Sequence, residues 1–494
     1  MPPDRFAACP CLPFPALVRD SAVPPCDGAA TSVFPARRRH GARTLAVVAA
    51  LIAAGCAATP AGRSADSAAP AASPPTAKAA QQPSPPVRQV LPNGLRLIMQ
   101  DHRAADIVAV YLYVGVGVRY ERPDQLGYSH FQEHMLFKGT DKWGPGYIDR
   151  AVEGVGGRTN ATTSFDYTDF YIVVPAESLE MAMQTLADMA FRSKFDPNEV
   201  ARERDVIFEE ANIETDNPKT AIIRQLYGLV FGDNPYGAPV LGTKPTMNAA
   251  TGDALKAYNH QYYTPENMTL VVVGPIDPAK VRAMVDRIFG AIPATGYKPA
   301  PAPAPKPLTG VVRRVVERPE QQAMLAMGWG APRSDDPNGD AVDLLTTILA
   351  GSESSRLARR LRDEERLVNS VTMNYSAQMG GGIISLRAEL EAKDMERVQQ
   401  IVLEEIAKMQ ESGPTDEERQ LAVTKFEAQH AFDTETSEGL ANAYALAETT
   451  WTLAAELGYV DRLRRITNDQ IRDAARRYLS RTNYAVVEFV PKKS

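Results

Sequence analysis

Two histidines and a glutamate stand where a helix would bring them to one face: His130-Phe-Gln-Glu-His134. Residues four apart on a helix lie one above the other, and a residue three away falls on nearly the same line. His130 and His134 can therefore offer two imidazole nitrogens to one metal ion. Glu133 is placed to reach a water on that ion. The order H-x-x-E-H inverts the H-E-x-x-H zinc signature. Neutral nitrogens suit zinc, and a carboxylate beside a bound water is a general base. Two histidines at this spacing also occur on ordinary helix surfaces, so the surroundings must decide.

The motif runs on into Met-Leu-Phe-Lys-Gly-Thr140. The whole string HFQEHMLFKGT resembles the active-site helix of the pitrilysin/insulinase family of metallopeptidases. Its Phe-Lys-Gly-Thr tail is not needed to hold a metal, which makes the resemblance specific. The resemblance implies one zinc ion per chain and a third ligand from a later helix. The family pattern E-R-x-V-I-x-x-E maps onto Glu203-Arg-Asp-Val-Ile-Phe-Glu-Glu210. That makes Glu210 the ligand and Glu203, two turns earlier on the same face, a group that orients a ligand or the water. The bland alternative is a wet helix face, since Glu203, Glu209, Glu210 and Glu214 all lie on this segment. A register error of one residue would exchange Glu209 for Glu210. With three ligands and one open position, Glu133 would take a proton from the metal-bound water and return it to the leaving amine.

These side chains need elements to hold them. Val90 to Met99 places Asn-Gly between short apolar segments, a hairpin signal. Asp106 to Arg119 alternates and is rich in Val and Tyr, and reads as a strand. Tyr147 to Val155 reads as a short helix. Gly156 to Thr163 leads into a strand, with β character resuming at Asp169 to Val174. The family carries a Gly…Asn-Ala-x-Thr edge strand here that pairs with the substrate backbone, and Asn160 and Ala161 match it. Strand addition binds peptides with loose sequence preference. The alternative is an internal strand with a structural Asn. Ala176 to Phe191 and Pro197 to Asp216 read as helices.

A repeat relates the two halves of the chain. Thr251, Asp253, Tyr262 and Asn267 recur as Thr467, Asp469, Tyr478 and Asn483, all at one constant offset, and each copy ends in an apolar run. Each opens with Thr as a helix N-cap and closes in a buried strand. The second half lacks the chemistry: Asp343-Leu-Leu-Thr-Thr-Ile-Leu349, the counterpart of the histidine helix, has no His and no Glu. The family carries an Arg here and a Tyr seven residues on, both reaching the substrate at a zinc site. The segment Ser355 to Asn369 matches that helix, with Arg362 at the Arg position but Asn369 where Tyr is expected. Family members enclose a chamber with four such halves, so a chain with two implies a dimer. The missing Tyr favours a related subunit that supplies the Arg/Tyr pair. The alternative is a homodimer with a different donor.

The first residues differ in kind. Arg37, Arg38, Arg39 and Arg43 precede an apolar run, Leu45 to Ala54, that ends in Ala-Gly-Cys56. A basic segment, a short apolar run and small residues make a secretory signal. The run is too short to span a bilayer. Cys56 resembles a lipobox cysteine, although Ala53 stands where Leu is favoured, and ordinary cleavage nearby is the alternative. Residues 1–32 fit no signal design, and Val33 is a candidate initiator. All four cysteines (Cys9, Cys11, Cys26, Cys56) fall here, so the mature chain has no pair for a disulfide. Residues 57–86 are rich in Ala, Pro and Ser and read as a flexible tether. The expected location is the periplasm, with a lipid anchor to the outer membrane of a Gram-negative bacterium. The balance of 54 basic against 60 acidic residues argues against a nucleic-acid partner.

The expected fold is α+β, with two homologous halves, each an antiparallel sheet packed with helices. The expected organisation is a signal region (1–56), a tether (57–86), a zinc-binding domain (87–295), a stiff Pro-rich linker (296–308) and a second domain without zinc (309–494). The expected function is zinc-dependent endopeptidase action on peptides or unfolded protein segments. The rival is a non-catalytic scaffold or peptide-capture subunit of the same fold.

Overall fold

The computed structural model describes residues 84–492. The signal region, Cys56 and nearly all of the tether lie outside the described residues. Among the described residues no helix is long and apolar enough to cross a membrane.

The first half builds a six-stranded sheet from β1 (Val87–Val90), β2 (Arg96–Asp101), β3 (Ile107–Val114), β4 (Arg158–Thr163), β5 (Thr168–Pro175) and β6 (Met268–Gly274), in the order β1-β2-β6-β3-β5-β4. The Asn-Gly hairpin is present between β1 and β2. Gly94 adopts φ +89°, and the buried Asn93 amide donates to Phe289 and Ile292 carbonyls. The first-half helices are α1 (Tyr128–Leu136), α2 (Tyr147–Gly154), α3 (Leu179–Arg192), α4 (Pro197–Asp216), α5 (Pro218–Phe231), α6 (Lys244–Ala249), α7 (Gly252–Tyr262) and α8 (Pro278–Ile288). α4 begins and ends where its sequence says it should. Asp196 accepts from the Asn198 and Glu199 N–H groups, and Pro197 opens the helix.

The second half repeats the design with five strands: β7 (Val311–Arg318), β8 (Ala323–Ala331), β9 (Val368–Ser376), β10 (Gly382–Leu390) and β11 (Tyr484–Pro491), ordered β7-β11-β8-β10-β9. Its helices include α9 (Gly339–Ala350), α10 (Met395–Ser412), α11 (Asp416–Asp433), α12 (Ser437–Thr450) and a last helix, Asn468–Tyr478. The last helix and β11 repeat α7 and β6, and Thr251 and Thr467 both cap their helices. Neither sheet is wholly antiparallel. β2 lies parallel to β6, and β7 parallel to β11. Each of these pairs joins the first long strand of a half to its last, and the rest of that half forms the crossover.

One face of each sheet packs on its own helices. Leu112, Phe131, Leu186, Ile207 and Leu255 share the first core. The other faces are covered reciprocally. α12 of the second half lies on the first sheet through Leu440, Tyr444 and Ala445, against Tyr111, Val173 and Val271. α5 of the first half lies on the second sheet through Ile222, Leu226 and Val230, against Ala326, Val487 and Phe489. The Pro-rich segment does not act as a free spacer. Its Ala300 and Pro303 carbonyls accept from Arg119 and Asn234 of the first half.

Candidate metal centre

α1 is a nine-residue helix with every residue buried. A helix this short needs help at its start, and Gly127 provides no capping side chain. Glu121, from the preceding turn, does the work: its carboxylate accepts from the Gly127 and Ser129 N–H groups, each at 2.7 Å. Burial pushes the Glu121 carboxyl up to about 8, while those two backbone hydrogen bonds pull it back down.

From this helix His130, Glu133 and His134 project towards α4, which brings Glu210. The nearest ligand atoms of His130, His134 and Glu210 all lie within 4.8 Å of one another. Glu210 Oε2 stands 3.6 Å from His130 Nε2 and 3.3 Å from His134 Nε2. Ligands about 2.1 Å from a tetrahedral zinc lie about 3.4 Å from each other, so these separations fit the ion. His134 Nε2 and Glu210 Oε2 are also buried without a hydrogen-bond partner in good geometry among the described residues. Two aligned, desolvated donors of this kind are what a metal would satisfy. Glu209 faces solvent, and Glu214 is buried against Arg224. Both are therefore outside the set.

The flanking groups fix the ligands. His134 Nδ1 meets Glu203 Oε2 at 3.0 Å, and the other Glu203 oxygen pairs with Lys138 at 2.9 Å. Burial raises the Glu203 carboxyl, but His134 and Lys138 outweigh it and hold it below the usual range. Burial works to lower His134, yet Glu203 and Glu210 push its imidazole up to about 9. His130 lies well below its ordinary value, through burial first and the neighbouring His134 second. The Glu133 carboxyl is raised by burial, and His134 and Thr163 partly offset this. Thr163 Oγ1 donates to Glu133 Oε2 at 2.6 Å, so the carboxylate is held beside the ligands. Lys138 and Thr163 were not singled out in the sequence, although both stand inside the matched strings.

The strand carrying Asn160 and Ala161 is β4, and it pairs only with β5 at the edge of the sheet. Its alternation sends Ala161 into the core and Thr163 to Glu133, while Asn160 and Thr162 face the opposite side. Arg362 is not brought to the metal ligands. It lies in a short π-type helical turn, Ala358–Glu364, with its guanidinium taken by Asp363 and Glu353. The helix expected to reach Asn369 stops there. Arg366 turns into the left-handed region at φ +55°, and Asn369 falls on β9, where its amide donates to Gln322 at 3.0 Å. A β-carbon makes that backbone costly to continue as a helix.

Comparison with known proteins agrees with this architecture. Residues 96–244 match the insulinase (peptidase family M16) model, and residues 249–426 match the peptidase M16 inactive-domain model. The uncharacterized zinc protease YmxG of Bacillus subtilis is 31% identical over 331 residues, which span 67% of this chain and 80% of that protein. An uncharacterized zinc protease of Mycobacterium leprae is 32% identical over 340 residues, 68% of this chain and 76% of its own. In fold, the chain superposes on a protease from Helicobacter pylori with a TM-score of 0.78 at 23% identity, covering 82% of this chain and 99% of the other. A peptidase M16 inactive domain from Pseudomonas fluorescens gives 0.77 at 19%, covering 83% and 99%. With both halves matched and the zinc-ligand geometry in the half that matches the insulinase model, the chain belongs to the insulinase (M16) peptidase family.

Proposed function

We propose that this chain is a zinc-dependent endopeptidase acting on peptides or unfolded protein segments. The observation that carries the reading is the convergence of His130, His134 and Glu210 donor atoms within 4.8 Å, beside a Glu133 held by Thr163. Zinc bound there would act as a Lewis acid and bring a water into the neutral range of acidity. The Glu133 carboxylate would be the proton acceptor, and its burial gives the carboxyl the raised affinity that a base returning its proton needs. Glu203 keeps the His134 proton on Nδ1 and leaves Nε2 free for the metal. The open edge of β4 offers main-chain groups to an extended peptide, with Asn160 and Ala161 on that strand. A peptide-capture subunit would need the ligands but not the positioned Glu133.

The partner we infer is a related subunit that supplies the Arg/Tyr pair, with a homodimer as the other arrangement. The engagement of Arg362 by Asp363 and of Asn369 by Gln322 favours the first. The basic and apolar run ahead of Cys56 supports secretion to the periplasm with a lipid anchor. The test is peptide hydrolysis by the purified chain with zinc measured on the same sample. Zinc with turnover supports the enzyme. Zinc without turnover, persisting after addition of a co-purifying relative, would sink it.

A further inference from the structure

On the reading of Glu133 as the general base, we propose that Asp166 is a positioning residue for it, acting by fastening the hairpin that carries Thr163 to the second half of the chain. Thr163 closes β4, Thr168 opens β5, and the two stand opposite each other. Ser164 to Tyr167 join them in a tight turn, in which the Ser164 N–H donates to the Tyr167 carbonyl at 2.9 Å. Asp166 sits in this turn and is 4% exposed. A connection this short has little slack. A shift of Asp166 is therefore passed to Thr163, whose hydroxyl holds Glu133 Oε2.

Three donors converge on the Asp166 carboxylate. Arg119 Nε donates to Oδ1 at 2.7 Å, the Tyr236 hydroxyl to the same oxygen at 2.9 Å, and the Met379 N–H to Oδ2 at 2.9 Å. Arg119 and Tyr236 belong to the first half, but Met379 lies in the connection between β9 and β10 of the second. The next residue, Gly380, donates its N–H to the Tyr236 hydroxyl at 2.9 Å. A β-carbon on Gly380 would stand 2.8 Å from the Pro303 carbonyl oxygen and 2.9 Å from Tyr236 Cε2, so this turn is seated with no room to spare. Arg119 also donates to the Ala300 carbonyl, which ties in the Pro-rich segment. Replacing a buried ion pair by packed apolar groups is often neutral for stability, so the service of the Arg119–Asp166 pair lies in fixing one arrangement. The arrangement fixed here is the second half's turn on the hairpin that steadies Glu133 and forms the β4 edge. The half without metal ligands thus reaches the chemistry through a backbone N–H.

The test reads peptide hydrolysis per zinc-loaded full chain, and amide hydrogen exchange on the same samples. Asp166→Asn turns an amide donor towards the Met379 N–H while its oxygen stays on Arg119 and Tyr236. Gly380→Ala displaces the same contact from the second half, leaves the first half's residues as they are, and decides the matter should Asp166→Asn fail to fold. Either variant should lower kcat by about 10–100-fold, with zinc content unchanged. KM should stay within about twofold of the wild type, as expected when only the base is misplaced. Gly380→Ala should also speed exchange across residues 158–168, which the substitution does not touch. Val398→Ala, which opens a cavity in the second core, is the control for general loosening and should leave kcat in place. Three results would overturn the proposal: an unchanged kcat in Gly380→Ala, exchange that quickens only around residues 376–382, or an equal fall of kcat in Val398→Ala. Absence of turnover in the wild-type chain would strike the endopeptidase reading instead, and exchange in Gly380→Ala would then decide by itself whether the fastening exists.

Discussion

α1 and α9 follow the equivalent strands β3 and β8 of two sheets that share one five-strand order, with β1 added at the edge of the first, yet one carries a candidate metal-ligand set and the other Asp343-Leu-Leu-Thr-Thr347. The difference lies in a few side chains and their supports. On α1, Glu121 anchors the start, Glu203 and Lys138 hold His134, and Thr163 holds Glu133. On α9, Thr346 turns its hydroxyl back onto the Val342 and Asp343 carbonyls of its own helix. The fold supplies an equivalent helix in each half, and the polar groups around it decide whether that helix can do metal chemistry.

The sharpest way to break the contrast is to neutralise the base. Glu133→Gln should lower the hydrolysis rate by about 10²–10⁴-fold with zinc still bound. Loss of zinc instead would mean that Glu133 is a ligand. Next, Glu203→Gln should weaken zinc binding by about 10–100-fold, read by competition with a chromogenic chelator. An unchanged affinity would show that His134 needs no orienting partner. Removing zinc from the wild-type chain should abolish activity but leave the far-ultraviolet spectrum intact, since both cores are built without it. At a free zinc level of 100 times Kd the ion should contribute about 2.7 kcal/mol, seen as a melting shift of a few degrees. Arg318, from β7, donates to the Thr215 and Asp216 carbonyls that end α4. Arg318→Ala should cost about 1 kcal/mol, measured by denaturant melting. In the second half, Thr346→Ala should leave zinc content and turnover alone and shift stability by less than about 0.5 kcal/mol.

Much of the centre was legible from local pattern. The helical period places His130 and His134 together, and Asp196-Pro197 with Asn217-Pro218 bounds α4 without reference to anything distant. The choice of Glu210 over the exposed Glu209 came from the family pattern rather than from the period. What was not legible depends on contacts remote in sequence. The grip of Glu121 on α1 comes from a turn, and no helical spacing reveals it. The strand read over Asp106 to Arg119 stops at Val114, because Val118 and Arg119 bond to the Ser164 and Phe165 carbonyls and turn the chain. The π-type turn before Arg366 is a local geometry that helix-forming residues conceal. Asp169 lies in an otherwise apolar strand and looks like part of a solvated alternation, yet α12 covers that face.

The reciprocal placement of α5 and α12 has a mechanical consequence. α4, which carries Glu210, passes through the single residue Asn217 into α5, and α5 is clamped on the other half's sheet. Any hinge motion that parts the two sheets must therefore tug on the helix supplying the third donor, while the two imidazoles ride on a helix anchored in the first half. A metal held by His130, His134 and Glu210 would thus sense the seating of the two halves, and a chain severed between them is expected to lose affinity for the ion before it loses its secondary structure.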